Sequence, residues 1–137
     1  MVKKVWYAPN KFESYGEEEI KAVEACLRDG WLAGFGDRTT EFEKRVSDLF
    51  GKKHGLFVNS GSSAILLGLC ALDLPKGSEV VTPACGFATT VAPLMQLGLK
   101  PVFCDVGFNS YVPSVEDLKK VVTPETKCLL LPNLIGN

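Results

Sequence analysis

The residues with the clearest chemical potential form one run, Val58-Asn59-Ser60-Gly61-Ser62-Ser63-Ala64. It follows a short apolar stretch and opens a helical pattern. At such a junction the first helical N–H groups lack an intrahelical acceptor, and the helix dipole presents its positive end. Small hydroxyl residues at Ser62 and Ser63, with Gly61 admitting a close approach to the backbone, are the ingredients of a phosphate site. The same residue types are also favoured helix caps. Spacing alone leaves both readings open. Neither a Walker loop nor G-x-G-x-x-G occurs, so the common nucleotide-binding loops lose ground.

A second run, Ala84-Cys85-Gly86-Phe87-Ala88-Thr89-Thr90, again sits between a strand pattern and a helix pattern. Ligands of parallel sheets gather at the carboxyl ends of the strands. Phe87 would then share a crevice with the serine turn, where a flat ring can stack on a flat cofactor. A core position for Phe87 is the competing reading. Other candidates are weaker. His54, the single histidine, reads as a surface or strand-edge residue. Asp105 reads as a cap of the turn after its strand. Glu17-Glu18-Glu19 suits the first turn of a helix, where carboxylates favour the dipole. No Ser/His/Asp set, carboxylate pair or metal-ligand cluster can be assembled.

These runs need a scaffold to hold them, and the hydrophobic rhythm supplies one. EEEIKAVEACLRD, from Glu17 to Asp29, puts Ile20, Val23, Cys26 and Leu27 on one helical face, and Gly30 stops it. Gly30 to Asp37, GWLAGFGD, has a loop composition that carries apolar side chains. A second helix is expected from Thr39 or Thr40 to Phe50, with Phe42, Val46 and Leu49 as its stripe. Beyond Gly51 short apolar runs alternate with helices. Strands are expected at Gly55–Val58, Glu79–Thr82, Pro101–Asp105 and Cys128–Leu131. Helices are expected at Ser62–Leu72, Thr89–Leu97 and Val115–Val121. Pro75-Lys76-Gly77 marks a turn, and Ser114 with Asp117 has the form of a capping box. Apolar strands separated by helices indicate an α/β fold with a parallel sheet covered on both faces.

Composition narrows the setting. The chain has 137 residues, 46% hydrophobic and 23% charged, with a formal net charge of -1. That is one domain's worth of ordinary globular protein. Its scattered basic residues give no electrostatic footprint for nucleic acid or an anionic membrane. The five cysteines are odd in number, widely spaced and mostly within apolar runs. They read as buried free thiols in a reducing compartment. MVKKVWYAPNKF lacks the apolar segment of a signal peptide, and no apolar run is long enough to span a bilayer. A cytoplasmic protein is expected. The last strand is followed by no covering helix, so the natural chain is expected to continue past Asn137.

Taken in order, the pieces resemble the DegT/DnrJ/StrS family of sugar aminotransferases and dehydratases, a branch of the aspartate-aminotransferase fold. The resemblance runs from Tyr15-Gly16-Glu17-Glu18-Glu19-Ile20 to Gly136-Asn137. It is carried by Asp29-Gly30-Trp31-Leu32, Phe42-Glu43-Lys44, Asn59-Ser60-Gly61-Ser62-Ser63-Ala64, Gly86-Phe87-Ala88-Thr89-Thr90, Pro101-Val102-Phe103-Cys104-Asp105-Val106 and Pro124-Glu125-Thr126-Lys127. Within the family, Gly86-Phe87-Ala88-Thr89-Thr90-Val91, Gln96 to Phe103 and Leu134-Ile135-Gly136-Asn137 are similar to CDP-4-keto-6-deoxyglucose 3-dehydratases. Ordinary family aminotransferases more often carry Thr-Phe-x-Ala-Thr in the first of these stretches.

The resemblance implies the fold type I large domain of a pyridoxal phosphate-dependent enzyme, of which this chain is the N-terminal part. Residues 1–50 would form a helical and substrate-loop segment, and 51–137 the first part of the cofactor-binding domain. Gly61, Ser62 and Ser63 would hold the phosphate of pyridoxamine or pyridoxal 5'-phosphate, and Phe87 would lie on its ring. Trp31, Gly34 and Phe35 would line the side of a nucleotide-linked keto sugar, in a homodimer whose sites are shared between subunits. The implied setting is deoxysugar and lipopolysaccharide O-antigen biosynthesis, by C3 dehydration or by transamination. No catalytic residue of the family falls in this stretch. Its pyridine-nitrogen Asp lies downstream, as does its coenzyme-linking lysine, which the 3-dehydratases replace with histidine. The iron–sulfur cysteines known from one dehydratase lie downstream too. Two rival expectations are a non-catalytic truncated paralogue and a generic nucleotide-phosphate domain.

Overall fold

The computed structural model describes residues 15–136, so the start of the chain and Asn137 lie outside the described residues. The described residues fall into two compact units, one up to Phe57 and one from Val58 onward.

The first unit holds helices α1 (Glu17–Asp29) and α2 (Asp37–Leu49). Helix α1 has the bounds that its apolar period predicts. Three glutamates fill its first turn, and the Glu19 carboxylate accepts from the Gly16 N–H at 2.7 Å. Gly30 ends it in the left-handed region at φ 74°, a conformation that favours glycine. Helix α2 begins at Asp37, ahead of the expected Thr39, because the extended Gly36 serves as its N-cap. The apolar stripes of both helices have the expected spacing but remain largely uncovered: no residue of α1 is buried, and in α2 only Ser47 is.

The expected strand Gly55–Val58 pairs with no other strand among the described residues. Residues 55–57 lie instead against α2. The Phe57 N–H donates to Glu43 Oε1 at 2.7 Å, and the Phe57 ring meets Phe42 edge-on at 5.2 Å. A Cβ added at Gly55 would stand 2.7 Å from the Glu43 carbonyl oxygen. A β-strand is defined by its pairing, and this apolar run finds a helix in place of a ladder.

The second unit carries the sheet. Its elements are α3 (Gly61–Leu72), β1 (Glu79–Pro83), α4 (Ala88–Gln96), β2 (Lys100–Cys104), α5 (Val115–Val121) and β3 (Thr126–Leu129). The strand order is β2-β1-β3, all parallel. Glu79 pairs with Lys100 on one side and Thr126 on the other; a register shift follows before Val80 meets Cys128. Val80 to Pro83 are all buried. Successive strand residues face opposite ways, so the central strand is covered on both faces. Leu69, Val80, Leu94 and Leu99 form the core, with Ile65, Leu74, Leu97, Cys128 and Leu130 packed on it. Helices α4 and α5 pack on β2, and α3 packs on α4. The expected turn is present, with the Ser78 N–H bonded to the Pro75 carbonyl and Gly77 at φ 83°.

Candidate functional site

The serine turn opens α3, and its first task is to close that helix end. Ser60, not Ser62 or Ser63, is the N-cap: its hydroxyl oxygen accepts from the Ser63 N–H at 3.2 Å. The Ser63 hydroxyl donates to Asn59 Oδ1 at 2.7 Å and accepts from Ser60 at 3.2 Å. The Ser60 carbonyl takes the Ala64 N–H. Capping therefore uses Asn59, Ser60 and Ser63. The amides of Gly61 and Ser62 and the Ser62 hydroxyl have no partner among the described residues. No atom lies within 4 Å of a Cβ added at Gly61. Free donors thus stand at the positive end of a 12-residue helix, open to a ligand.

Helix α4 begins at the carboxyl end of β1, one turn of chain away. Thr89 lines a 190 Å³ groove together with Ser62, Ser63, Leu66 and Gln96. Phe87, Ala88 and Thr90 line a separate recess of 290 Å³ with Thr82, Cys85, Pro132 and Leu134. Ser62, Ser63 and Phe87 therefore belong to two separate hollows, each bordered by residues of α4. Phe87 is 72% exposed, so among the described residues it is not part of the core. Both hollows lie within the second unit.

In the first unit the loop between α1 and α2 forms a 460 Å³ depression lined by Trp31, Ala33, Phe35, Gly36, Arg38 and neighbours, with Gly34 outside its lining. The Trp31 indole donates to the Phe35 carbonyl, which folds the loop on itself. Phe35 is 81% exposed.

The weaker candidates resolve into structural roles. Asp105 Oδ1 accepts from the Val106 N–H at 2.8 Å, a local turn cap. Ser114 and Asp117 form the expected capping box. Hydrogen bonds from Lys120 and then Ser114 pull the Asp117 carboxyl down to about 2. The cysteines are all free, but only Cys104 is buried; Cys26, Cys85 and Cys128 are half-buried and Cys70 is exposed. Apolar neighbours in sequence did not translate into burial, because Cys70 lies on a side of α3 that nothing among the described residues covers. Burial pushes the Cys104 and Cys128 thiols up. Among the described residues no group of His, Cys, Asp or Glu side chains is arranged to hold a metal ion, and no helix is long and apolar enough to cross a membrane. Sequence reasoning gave no role to Thr82, Thr89 or Thr90. Their positions just before and after a strand-to-helix turn were the available signal.

Comparison with known proteins places this arrangement. The chain is 36% identical over 135 residues to GDP-4-keto-6-deoxy-D-mannose 3-dehydratase of Escherichia coli O55:H7, covering 94% of this chain and 34% of that enzyme. It is 35% identical over 124 residues to dTDP-4-dehydro-2,3,6-trideoxy-D-glucose 4-aminotransferase of Saccharopolyspora spinosa, covering 89% and 32%. The solved structure of E. coli GDP-4-keto-6-deoxy-D-mannose-3-dehydratase with bound hydrated PLP superposes with a TM-score of 0.84 at 35% identity, over 91% of this chain and 33% of that one. The chain thus spans about a third of the length of the relatives it matches. The sequence profile of the DegT/DnrJ/EryC1/StrS aminotransferase family matches residues 13–137, and the chain belongs to that family.

Proposed function

We propose that this chain forms the first third of a B6-dependent enzyme that acts on nucleotide-linked 4-keto-6-deoxy sugars and removes the hydroxyl at C3. The observation that carries the reading is the division of labour at the serine turn. Ser60 and Ser63 satisfy the helix end, which leaves the Gly61 and Ser62 amides and the Ser62 hydroxyl as donors with nothing to bind. That donor set, at the positive end of a helix, suits the negative charge of a phosphoester. Sugar dehydratases among the relatives, one of them solved with PLP, supply the coenzyme and the substrate class.

On this reading Gly61 and Ser62 bind the coenzyme phosphate directly, and Ser63 keeps the turn in shape through Asn59 and Ser60. Phe87 covers one face of the ring and keeps water from it. Trp31, Gly34 and Phe35 offer an aromatic wall to the nucleotide-linked sugar, in a homodimer. When bound, the coenzyme supplies an electron sink for cleavage of a neighbouring bond. The described residues contribute binding and orientation. Proton transfer falls to the remaining two thirds of the enzyme, as does any iron–sulfur cluster.

The test uses the protein expressed from the complete gene. Titration with pyridoxal or pyridoxamine 5'-phosphate should give a saturable absorbance band, weakened about tenfold in affinity in Ser62→Ala by loss of a charge-assisted hydrogen bond. Unchanged affinity in both Ser62→Ala and Phe87→Ala removes the proposal. A second reading, transamination of the same sugar class, is favoured by the 4-aminotransferase relative. Product analysis with a 4-keto-6-deoxy sugar nucleotide separates an amino sugar from a 3-deoxy sugar.

A further inference from the structure

The recess beside Phe87 contains a polar group that neither capping nor packing accounts for. Thr90 is 6% exposed and lines the recess. Its hydroxyl has no hydrogen-bond partner among the described residues. A helical Thr hydroxyl ordinarily bonds back to a carbonyl three or four residues earlier. Here the Phe87 carbonyl accepts the Thr90 N–H at 2.9 Å, and the hydroxyl adds no second bond to it. Thr82, wholly enclosed and bordering the same recess, also has a hydroxyl oxygen without a partner. Buried polar groups are nearly always paired, and an orphan costs stability. Thr82 is thus a buried orphan beside the hollow, and the unbonded Thr90 hydroxyl on the same wall is left available to whatever fills it.

The size and lining of the hollow bear on that occupant. An apolar cavity of about 150 Å³ suffices for benzene, so 290 Å³ accommodates one substituted ring. Pro83, Ala84, Val91, Pro132 and Leu134 make the walls apolar, and the Phe87 ring stands exposed at the edge. Thr89, next to Thr90 in sequence, lines the groove that holds Ser62 and Ser63. We propose that Thr90 is a further coenzyme-binding residue, whose hydroxyl hydrogen-bonds a polar atom on the edge of the B6 ring. The proposal rests on the coenzyme reading given above.

Thr90→Val and Thr90→Ser, made in the protein expressed from the complete gene, test it by two readouts: coenzyme affinity from absorbance titration, and melting of the coenzyme-free form. Thr90→Val should weaken coenzyme binding about tenfold, the value of one good hydrogen bond. Thr90→Ser, which keeps the hydroxyl, should stay within about twofold. The coenzyme-free Thr90→Val protein should melt no lower than the parent, because no protein partner is lost. Unchanged affinity in Thr90→Val, beside a weakened Ser62→Ala, overturns the role of Thr90 and leaves the coenzyme reading intact. A coenzyme-free Thr90→Val protein that melts lower or fails to fold shows that the hydroxyl serves a protein group, which also overturns it. A parent protein that binds no B6 coenzyme removes both.

Discussion

The two units of this chain obey the same sequence rules and reach different ends. In the second, Leu69, Val80, Val81, Leu94 and Leu99 are buried about a parallel sheet. In the first, Ser47 alone is buried among the described residues, and Val23, Leu27 and Leu49 stand at least 60% exposed on stripes of correct helical period. Periodicity therefore tells which face of a helix is apolar, not whether the chain provides something to cover it. What holds α1 and α2 is mostly local. Arg28 pairs with Glu24, Lys44 with Asp48 and Arg45 with Glu41, each four residues apart and exposed. Such pairs contribute roughly 0.3–0.5 kcal/mol each, and an isolated helix of 13 residues is marginal in water.

The largest effect that can break this comparison is a cavity in the core. Leu94→Ala should cost about 2–5 kcal/mol, read as a lower urea midpoint. Native-state hydrogen exchange should show the loss of protection in β1, β2, α3 and α4, with α1 and α2 unchanged. Equal loss in both units would mean that they fold as one. Thr82→Val has the opposite sign: it removes an enclosed hydroxyl that bonds nothing, so it should stabilise the sheet by about 1–3 kcal/mol. A destabilised Thr82→Val protein would reveal a hidden partner. In the first unit, Gly55→Ala forces a Cβ to within 2.7 Å of the Glu43 carbonyl oxygen. Overpacking of that kind costs about 1–3 kcal/mol, and it should free the Phe57 amide for exchange while leaving the sheet amides protected.

Where the comparison is between sequence and fold, the same distinction recurs. Helix α1, helix α5 with its Ser114–Asp117 box, and the Pro75–Gly77 turn were legible because each is decided within a few residues. The three strands of the sheet were legible to within two residues, since their apolar runs are bounded by turn signals. Gly55–Val58 was misread because its composition suits a strand while its pairing depends on residues far along the chain. Burial of Cys70 was misread for a similar reason. At the candidate site, residue types left phosphate binding and helix capping both open, and did not tell that Ser60 would cap the helix and leave Ser62 unbonded. That division depends on hydroxyl geometry, which no spacing encodes. The pairing of Thr90 with the hollow beside Phe87 needed the sheet to be assembled first.

The smallest effect sharpens the contrast between local and long-range bonding. In the first unit the Glu19 carboxyl is held below its usual value by the Gly16 N–H, three residues away. In the second, Glu79 Oε1 accepts from Lys100 Nζ at 2.8 Å and Oε2 from the Thr123 hydroxyl at 3.1 Å, bonds that span 21 and 44 residues. The Lys100 bond first and the Thr123 bond second hold the Glu79 carboxyl below its usual 4.5. A depressed folded pKa stabilises the fold fully above the unfolded value and fades as pH falls through the folded one. The clasp at the start of β1 and β2 should therefore weaken as pH drops below 4.5, whereas Asp117, lowered from 3.8 to about 2, fades later. The Lys100 ammonium, raised above 10.5 by the same carboxylate, stabilises below that value and is lost as pH rises beyond it. Melting temperature followed against pH should fall less steeply in Glu79→Gln than in the parent between 4.5 and the Asp117 transition, and also less steeply above 10.5. Identical slopes at both ends would show that the Glu79–Lys100 pair adds nothing to the stability of the sheet.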